Sequence, residues 1–276
     1  MKQHKKGLAL WLAAILLLLA GALLTGSPGR AEGVQEAMRD AVLHDVNQIS
    51  LFGLKNVNPG LISAFTVTGI LLVIAALIRI FAVPRFRYAP GKLQLLVEEA
   101  VGFFDRTAKT NSPHRSGFVG TYIFGVGCFI FVSTLFELLG LQAITTEGNP
   151  VTLPAPLSDV NAAIAAGTLS YLVILSGAIA GNGIKGIGKA LKEFSLPISM
   201  SFRLFGALLS GLLVTELVYY YVNLSFVLPV VVGVLFTLLH ALIQTYVLTL
   251  LTAMYYGEVS EHSPPKAPKK KKEKHA

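Results

Sequence analysis

Charge is scarce in this sequence: 14% of its 276 residues are Asp, Glu, Lys or Arg, against about 25% in an ordinary soluble domain. Cysteine is nearly absent, Cys128 being the only one, which excludes a secreted disulfide scaffold. Neither an internal repeat nor a GxxxG-type association site is expected to organise the chain, so an inverted-repeat transporter is not supported. What is abundant is apolar surface, with 53% hydrophobic residues and a mean hydropathy of +0.64. A soluble core of this size cannot bury so much of it, so the solvent for most of the chain is lipid. The net charge of +8 then raises the question of where the basic residues lie relative to the spans. No nucleic-acid partner is expected.

Apolar runs of about 20 residues, enough to cross a bilayer, fall at 60–82, 118–141, 161–180, 195–222 and 225–256. At 1.5 Å per residue the fourth makes about 42 Å, against roughly 30 Å of hydrocarbon, so the last two are expected to be long and tilted. A shorter run, Leu8 to Leu24, follows Lys2, Lys5 and Lys6 and ends in the small residues of 26–33. That is the layout of a signal peptide cut near Ala31, or of an uncleaved anchor. Between the first two spans, Leu93, Leu96, Val97, Val101 and Phe104 recur at helical spacing opposite a charged face. This reads as an amphipathic helix lying on the membrane, or as one packed on a partner.

The fold class is therefore all-α: a polytopic membrane protein with five transmembrane helices and an interfacial amphipathic helix. Its expected parts are 1–31 (signal or anchor), 32–59 (external segment), 60–257 (membrane domain) and 258–276. The last part is a Lys-rich tail of disorder-prone composition. That tail either touches anionic headgroups or is a solvated end that marks topology.

Lysine and arginine test the topology. Seven fall in 79–117, none in 142–160, three in 181–193, none near residue 223 and six beyond 257. Basic residues thus gather on alternate sides of an odd number of spans, the positive-inside pattern, which puts the N-terminus outside and the C-terminus in the cytoplasm.

One soluble-enzyme motif is set aside. Gly183-Ile-Lys-Gly-Ile-Gly-Lys189 has Walker A spacing, but Ala190 stands where the motif needs a Ser or Thr hydroxyl, and no strand precedes it. The segment reads as a Gly- and Lys-containing cytoplasmic loop. No cofactor and no metal site is expected.

The informative residues are ionisable groups inside apolar spans, which cost several kcal/mol and are functional by default. Arg203 sits about 13 Å into the fourth span. Either it snorkels to the headgroups, or it is an always-charged group that needs a carboxylate from this chain or another. Arg203, Ala207, Ser210 and Val214 share a slim face suited to close approach of another helix. In the antiparallel fifth span Gln244 reaches the depth of Arg203, and His240 is one turn from it on the same face. Glu216 lies about 13 Å further outward than Ala207. Together they form a sparse polar line from the outer surface to the membrane middle, as an ion half-channel requires. Taken alone, His240 reads first as a hydrogen-bonded core histidine, and only its alignment with Arg203 gives the functional reading equal weight. Asp159 and Asn161 open the third span, where Asp159 either caps the helix or, like Glu137, lines a water-filled access.

The stretch Ser199 to Gly211, SMSFRLFGALLSG, resembles the arginine-bearing span of the subunit a family of F-type ATP synthases, preceded here by Ser195-Leu196-Pro197. FELLGL closing span two, PLSDVN opening span three and QTYVLTLLTAMYY in span five extend the likeness over nearly the whole chain. The resemblance implies a non-catalytic stator subunit, with no ATP chemistry of its own, in the bacterial inner membrane. Its implied partners are a rotating c-ring, the peripheral stalk of subunit b, the rest of the ATP synthase, and lipid. An ion, taken as a proton, would enter by an outer half-channel, neutralise a ring carboxylate, ride around and leave by an inner one.

By its match Arg203 would strip the proton from each arriving carboxylate and block a short circuit. Gln244 would stand beside it, and Asp159 would belong to the outer half-channel. The sequence departs from the family at Ala207, Leu212 and Thr237, and polar groups appear a turn away at Glu216 and His240. At the inner side Lys189 occupies an often acidic position and Glu193 follows a turn later. The expected half-channel set is thus Glu216, His240, Gln244, Asp159, Asn161, Glu193 and Ser210. The competing classes are a secondary transporter that binds an anion at Arg203, which would need a cavity built by several helices, and a membrane scaffold, in which Arg203 would matter only for assembly.

Overall fold

The structure, a computed structural model, describes residues 49–51, 54–144, 150–220 and 228–261, with a few positions between 13 and 20. The expected signal or anchor, most of the external segment, the turn near residue 223 and the tail beyond residue 261 lie outside the described residues.

Helix α1 (Pro59–Leu77) begins with proline in its first turn, where a missing N–H costs nothing. The Asn58 side chain caps it by accepting from Gly60 N at 2.8 Å. It continues through a π-helical turn, Ile78–Ala82, and ends in a 3-10 turn, Val83–Arg85, at Pro84. Helix α2 (Lys92–Asn111) is the expected amphipathic element. It buries Phe104 and Ala108 and carries the ion pairs Arg106–Glu99 and Lys109–Asp105 on its exposed side. Helix α3 (Ser116–Phe136) follows, extended by a 3-10 turn to Leu139, where Gly140 at φ 57 turns the chain.

Asp159 caps α4 (Val160–Asn182) through Asn161 N at 2.7 Å and Ala162 N at 3.2 Å. After Gly183 come α5 (Ile184–Lys192), α6 (Ser195–Tyr220) and α7 (Leu228–Ser260). Two short hairpins stand outside this all-helical plan. Strands β1 (Ile49–Leu51) and β2 (Leu54–Val57) pair antiparallel, as do β3 (Gln142–Ile144) and β4 (Pro150–Thr152).

Four helical segments are long and apolar enough to cross a membrane: Pro59–Arg85, Pro113–Leu139, Val160–Asn182 and Val234–Ser260. Helix α5 and the first part of α6, bent by 49° at their junction, make a fifth when the pair is counted as one span. The chain is an all-α polytopic membrane protein, as the apolar runs indicate. One expectation is corrected: 183–193 is no plain loop, since Ile184–Lys192 is helical. Its glycines are accommodated because Gly186 and Ala190 are both buried where α5 packs back on α4. The opposite side leaves Ile184 and Leu191 exposed.

The main core joins α3, α4, α6 and α7 around Ile123, Ile174, Met200, Leu204 and Tyr256, all nearly inaccessible. A second cluster, Ile49, Val67, Phe136 and Leu153, ties the hairpins to the outer ends of α1 and α3. Asn58 also donates from Nδ2 to Asp159 Oδ2, so one residue caps α1 and fastens it to the cap of α4.

At the other end of the bundle α7 is gripped from three sides. Gly177 and Gly181 of α4 leave room for the Tyr256 ring and the Ser260 carbonyl, and Gly257 for the Asn111 carbonyl. A Gly177-xxx-Gly181 pair therefore does bring two helices together, contrary to the sequence expectation. Across the same seam Asn182 Nδ2 donates to Val259 O and Glu261 O, each at 3.0 Å, and Lys189 Nζ to Glu261 O at 3.0 Å. His114 Nε2 lies 2.6 Å from Ser260 Oγ. The Ser260 hydroxyl hydrogen goes to Tyr256 O, so His114 is the donor in that pair.

Candidate functional site

Helix α6 sorts its residues by direction. Leu196, Met200, Leu204 and Leu208 recur every fourth position and are buried in the core. Ser199, Arg203, Gly206 and Ser210 fall on a different side and are exposed. Small residues flank the arginine on that side, so a partner helix could approach closely. Among the described residues Arg203 makes neither a hydrogen bond nor an ion pair. A guanidinium exposed on an apolar helix, with no carboxylate partner among the described residues, is a charge still in need of one. Ser210 Oγ donates back to Ala207 O at 2.9 Å, which satisfies its hydroxyl. Ala207 and Val214, expected on the arginine face, are half-buried at its edge.

On α7 the buried side reads Ala241, Gln244, Thr245, Leu248, Thr249 and Thr252. Thr249 and Thr252 donate to carbonyls one turn back, as lone hydroxyls in apolar helices do. Gln244 is only 6% exposed, and its Oε1 has no partner among the described residues; Thr245 Oγ1 and Ser133 Oγ on α3 are likewise unpaired. Such orphan atoms are costly and call for water or a moving group. Gln244 is not hydrogen-bonded to Arg203.

His240, one turn from Gln244 toward the start of α7 and half-buried, shares a hydrogen bond of 2.8 Å between Nδ1 and Phe236 O and stacks on the Phe236 ring at 4.9 Å. A carbonyl only accepts, so Nδ1 carries the hydrogen, and Nε2 has no partner among the described residues. Glu216 belongs to α6, but its side chain lies outside the described residues, as does that of Leu212.

The acids expected on the outer side, Asp159 and Glu137, are engaged in structure. Both carboxylate oxygens of Asp159 accept: Oδ1 from the first turn of α4, Oδ2 from Asn58. The Asn161 side chain is exposed. Glu137, half-buried at the end of α3, is also partnered.

At the opposite end of the bundle from Asp159, Glu193 occupies the break between α5 and α6 and is half-buried. Its N–H donates to Ala190 O at 3.0 Å, and its carbonyl accepts from Leu196 N at 2.9 Å. The same Ala190 carbonyl accepts the Tyr171 hydroxyl at 3.1 Å. Neither Tyr171 nor Asn58 was singled out in the sequence. Asn58 precedes Pro59 and could have been read as a cap, whereas Tyr171 looks like one more aromatic in an apolar span.

The structure thus brings Glu193 and Tyr171 to one place, and Arg203 and Ser210 to one exposed face. It sets Gln244 and His240 on adjacent turns of α7. Asp159 stands apart with Asn58 at the start of α4. A sequence description of the ATP synthase A chain family matches residues 61–257, well over half of the chain. Subunit a of ATP synthase from Cereibacter sphaeroides (strain ATCC 17025 / ATH 2.4.3) is 27% identical over 196 residues, covering 67% of this chain and 75% of that one. The subunit a from Vibrio cholerae serotype O1 (strain M66-2) is 26% identical over 206 residues, covering 62% and 73%.

Proposed function

This chain belongs to the ATP synthase A chain family, and from that premise we propose that it is the fixed membrane subunit that passes protons to and from a rotating ring of partner subunits. As a member of that family it is a multi-pass membrane protein of the ATP synthase complex. Arg203 is the group that meets each arriving ring carboxylate. Its permanent charge favours the deprotonated acid and repels a proton moving straight across. The ring is what covers the face of Ser199, Arg203, Gly206 and Ser210. The peripheral stalk of subunit b holds the bundle still against the ring.

Protons reach the ring through an outer path of Glu216, His240 and Gln244, with Asp159 and Asn161 at its rim, and leave past Glu193. His240 fits such a path because its Nε2 has no partner among the described residues, and Gln244 because its buried oxygen has none there either. The N-terminus lies outside and the C-terminus in the cytoplasm, by the distribution of basic residues.

The single observation that carries this reading is Arg203, exposed on a face of small residues and unpaired among the described residues. It is tested in inverted membrane vesicles carrying Arg203→Ala, Glu216→Gln or His240→Ala, with ATP hydrolysis and ATP-driven acidification recorded together after an immunoblot for assembly. The expected outcome for Arg203→Ala is an assembled complex that hydrolyses ATP without acidifying the lumen. Loss of pumping in the other two variants fixes the outer path at those residues. Normal pumping by assembled Arg203→Ala would reduce Arg203 to a snorkelling structural residue and sink the mechanism.

A further inference from the structure

We propose that Tyr171 is a positioning residue for the inner end of the proton path, holding the Glu193 carboxylate in the break between α5 and α6. The proposal rests on the reading of Glu193 as the inner-path group and adds the device that fixes it there.

A helix leaves its last four carbonyls without intrahelical donors. In α5 the Ala190 carbonyl finds two: the Glu193 amide at 3.0 Å, which closes the helix, and the Tyr171 hydroxyl at 3.1 Å, which reaches across from α4. One oxygen therefore ties the residue carrying the acid to a side chain on a different helix. On its other side Glu193 is joined to α6 through Leu196 N. Held at both ends, the residue sits at φ −95°, ψ 25°, the turn conformation in which α5 ends.

Tyr171 is well placed to hold it, being only 8% exposed. Its ring borders an apolar cavity of about 510 Å³ between α4 and α6, lined also by Ile164, Phe194, Ile198 and Phe205. Its hydroxyl points away from that cavity to α5. The ring thus borders the apolar cavity while the hydroxyl ties α4 to the last turn of α5.

The test is Tyr171→Phe in the assembled complex, which keeps the buried ring and removes only the hydroxyl. ATP hydrolysis and assembly are expected to stay unchanged. ATP-driven acidification is expected to fall about 2- to 12-fold, the range one hydrogen bond supports. In a Glu193→Gln background the same change should have no further effect. A thiol reporter separates positioning from general loosening. In a Cys128→Ala chain, alkylation of Glu193→Cys should change several-fold when Tyr171 becomes Phe, whereas alkylation of Lys192→Cys should not.

Full pumping by Tyr171→Phe, or an equal loss in the Glu193→Gln background, overturns the proposal. So does an equal change at both thiols. Arg203→Ala, run alongside, keeps the two readings apart. If it pumps, the whole path is wrong; if it is blocked while Tyr171→Phe is silent, only this inference fails.

Discussion

Replacing Gly257 with Ala offers a direct trial of the seam that holds the end of α7. An added Cβ would lie 3.0 Å from the Asn111 carbonyl carbon and 3.4 Å from Ser112 Cα, with the Asn111 carbonyl oxygen nearer still. These are backbone atoms, so relief requires the helix end to move away. Overpacking of this kind costs about 1–3 kcal/mol. The movement also pulls Val259 O and Glu261 O from Asn182, two hydrogen bonds of net 0.5–1.5 kcal/mol each, about 1–3 together. Against this, Ala favours a helix over Gly by about 1 kcal/mol. The balance is roughly 1–5 kcal/mol against docking, at least about a fivefold rise in the open population.

A Val259→Cys reporter in a Cys128→Ala background reads this opening, because Val259 is 3% exposed. Alkylation in the purified complex should accelerate at least fivefold with Gly257→Ala. It should not change with Gly188→Ala, whose Cβ would meet nothing within 4 Å. Equal rates for Gly257→Ala and the parent reporter would refute the steric argument. Equal acceleration by both alanines would show that helix preference, not the close approach, is being measured.

Two further outcomes follow from the same geometry. Gly183→Ala should lower the thermal midpoint of the purified complex. At φ 60°, ψ −151° that position lies where L-residues are strained, by about 1–3 kcal/mol. Gln244→Leu removes a buried oxygen that has no partner, so the midpoint should hold or rise while ATP-driven acidification falls; a drop in the midpoint would mean that the side chain is structurally bonded after all.

Much of the fold is written in the sequence as long apolar runs, because a span of about 20 residues leaves little freedom about what it does. Residues 161–180 were expected as a span and are helical within Val160–Asn182, and Asp159 caps that helix as its place before an apolar run suggests. Helix α5 was not legible. Three glycines in seven residues argue for a loop, and only the packing of Gly186 and Ala190 on α4 makes a helix there worthwhile. The hairpins at Ile49–Val57 and Gln142–Thr152 have strands of three or four residues, too short for alternation to register.

At the candidate site, Arg203 stands out by cost alone, since a charge in an apolar span needs a reason. Tyr171 does not, because what distinguishes it is a hydrogen bond to a carbonyl 19 residues away. The pairing of Asn58 with Asp159, 101 residues apart, is hidden in the same way. Each cap is visible locally, but their meeting is a tertiary fact.

The grip on α7 also bears on the order in which the protein is made. The loop before α3, the end of α4 and helix α5 leave the ribosome before residues 257–261 do, yet each of them is completed by those residues. Until then the recesses beside Gly177 and Gly181 stand open, and Asn182 and Lys189 lack these acceptors. A nascent chain therefore cannot finish this end of the bundle early. A translation product that stops short of Gly257 leaves Asn182 and Lys189 without these acceptors and the recesses on α4 unfilled.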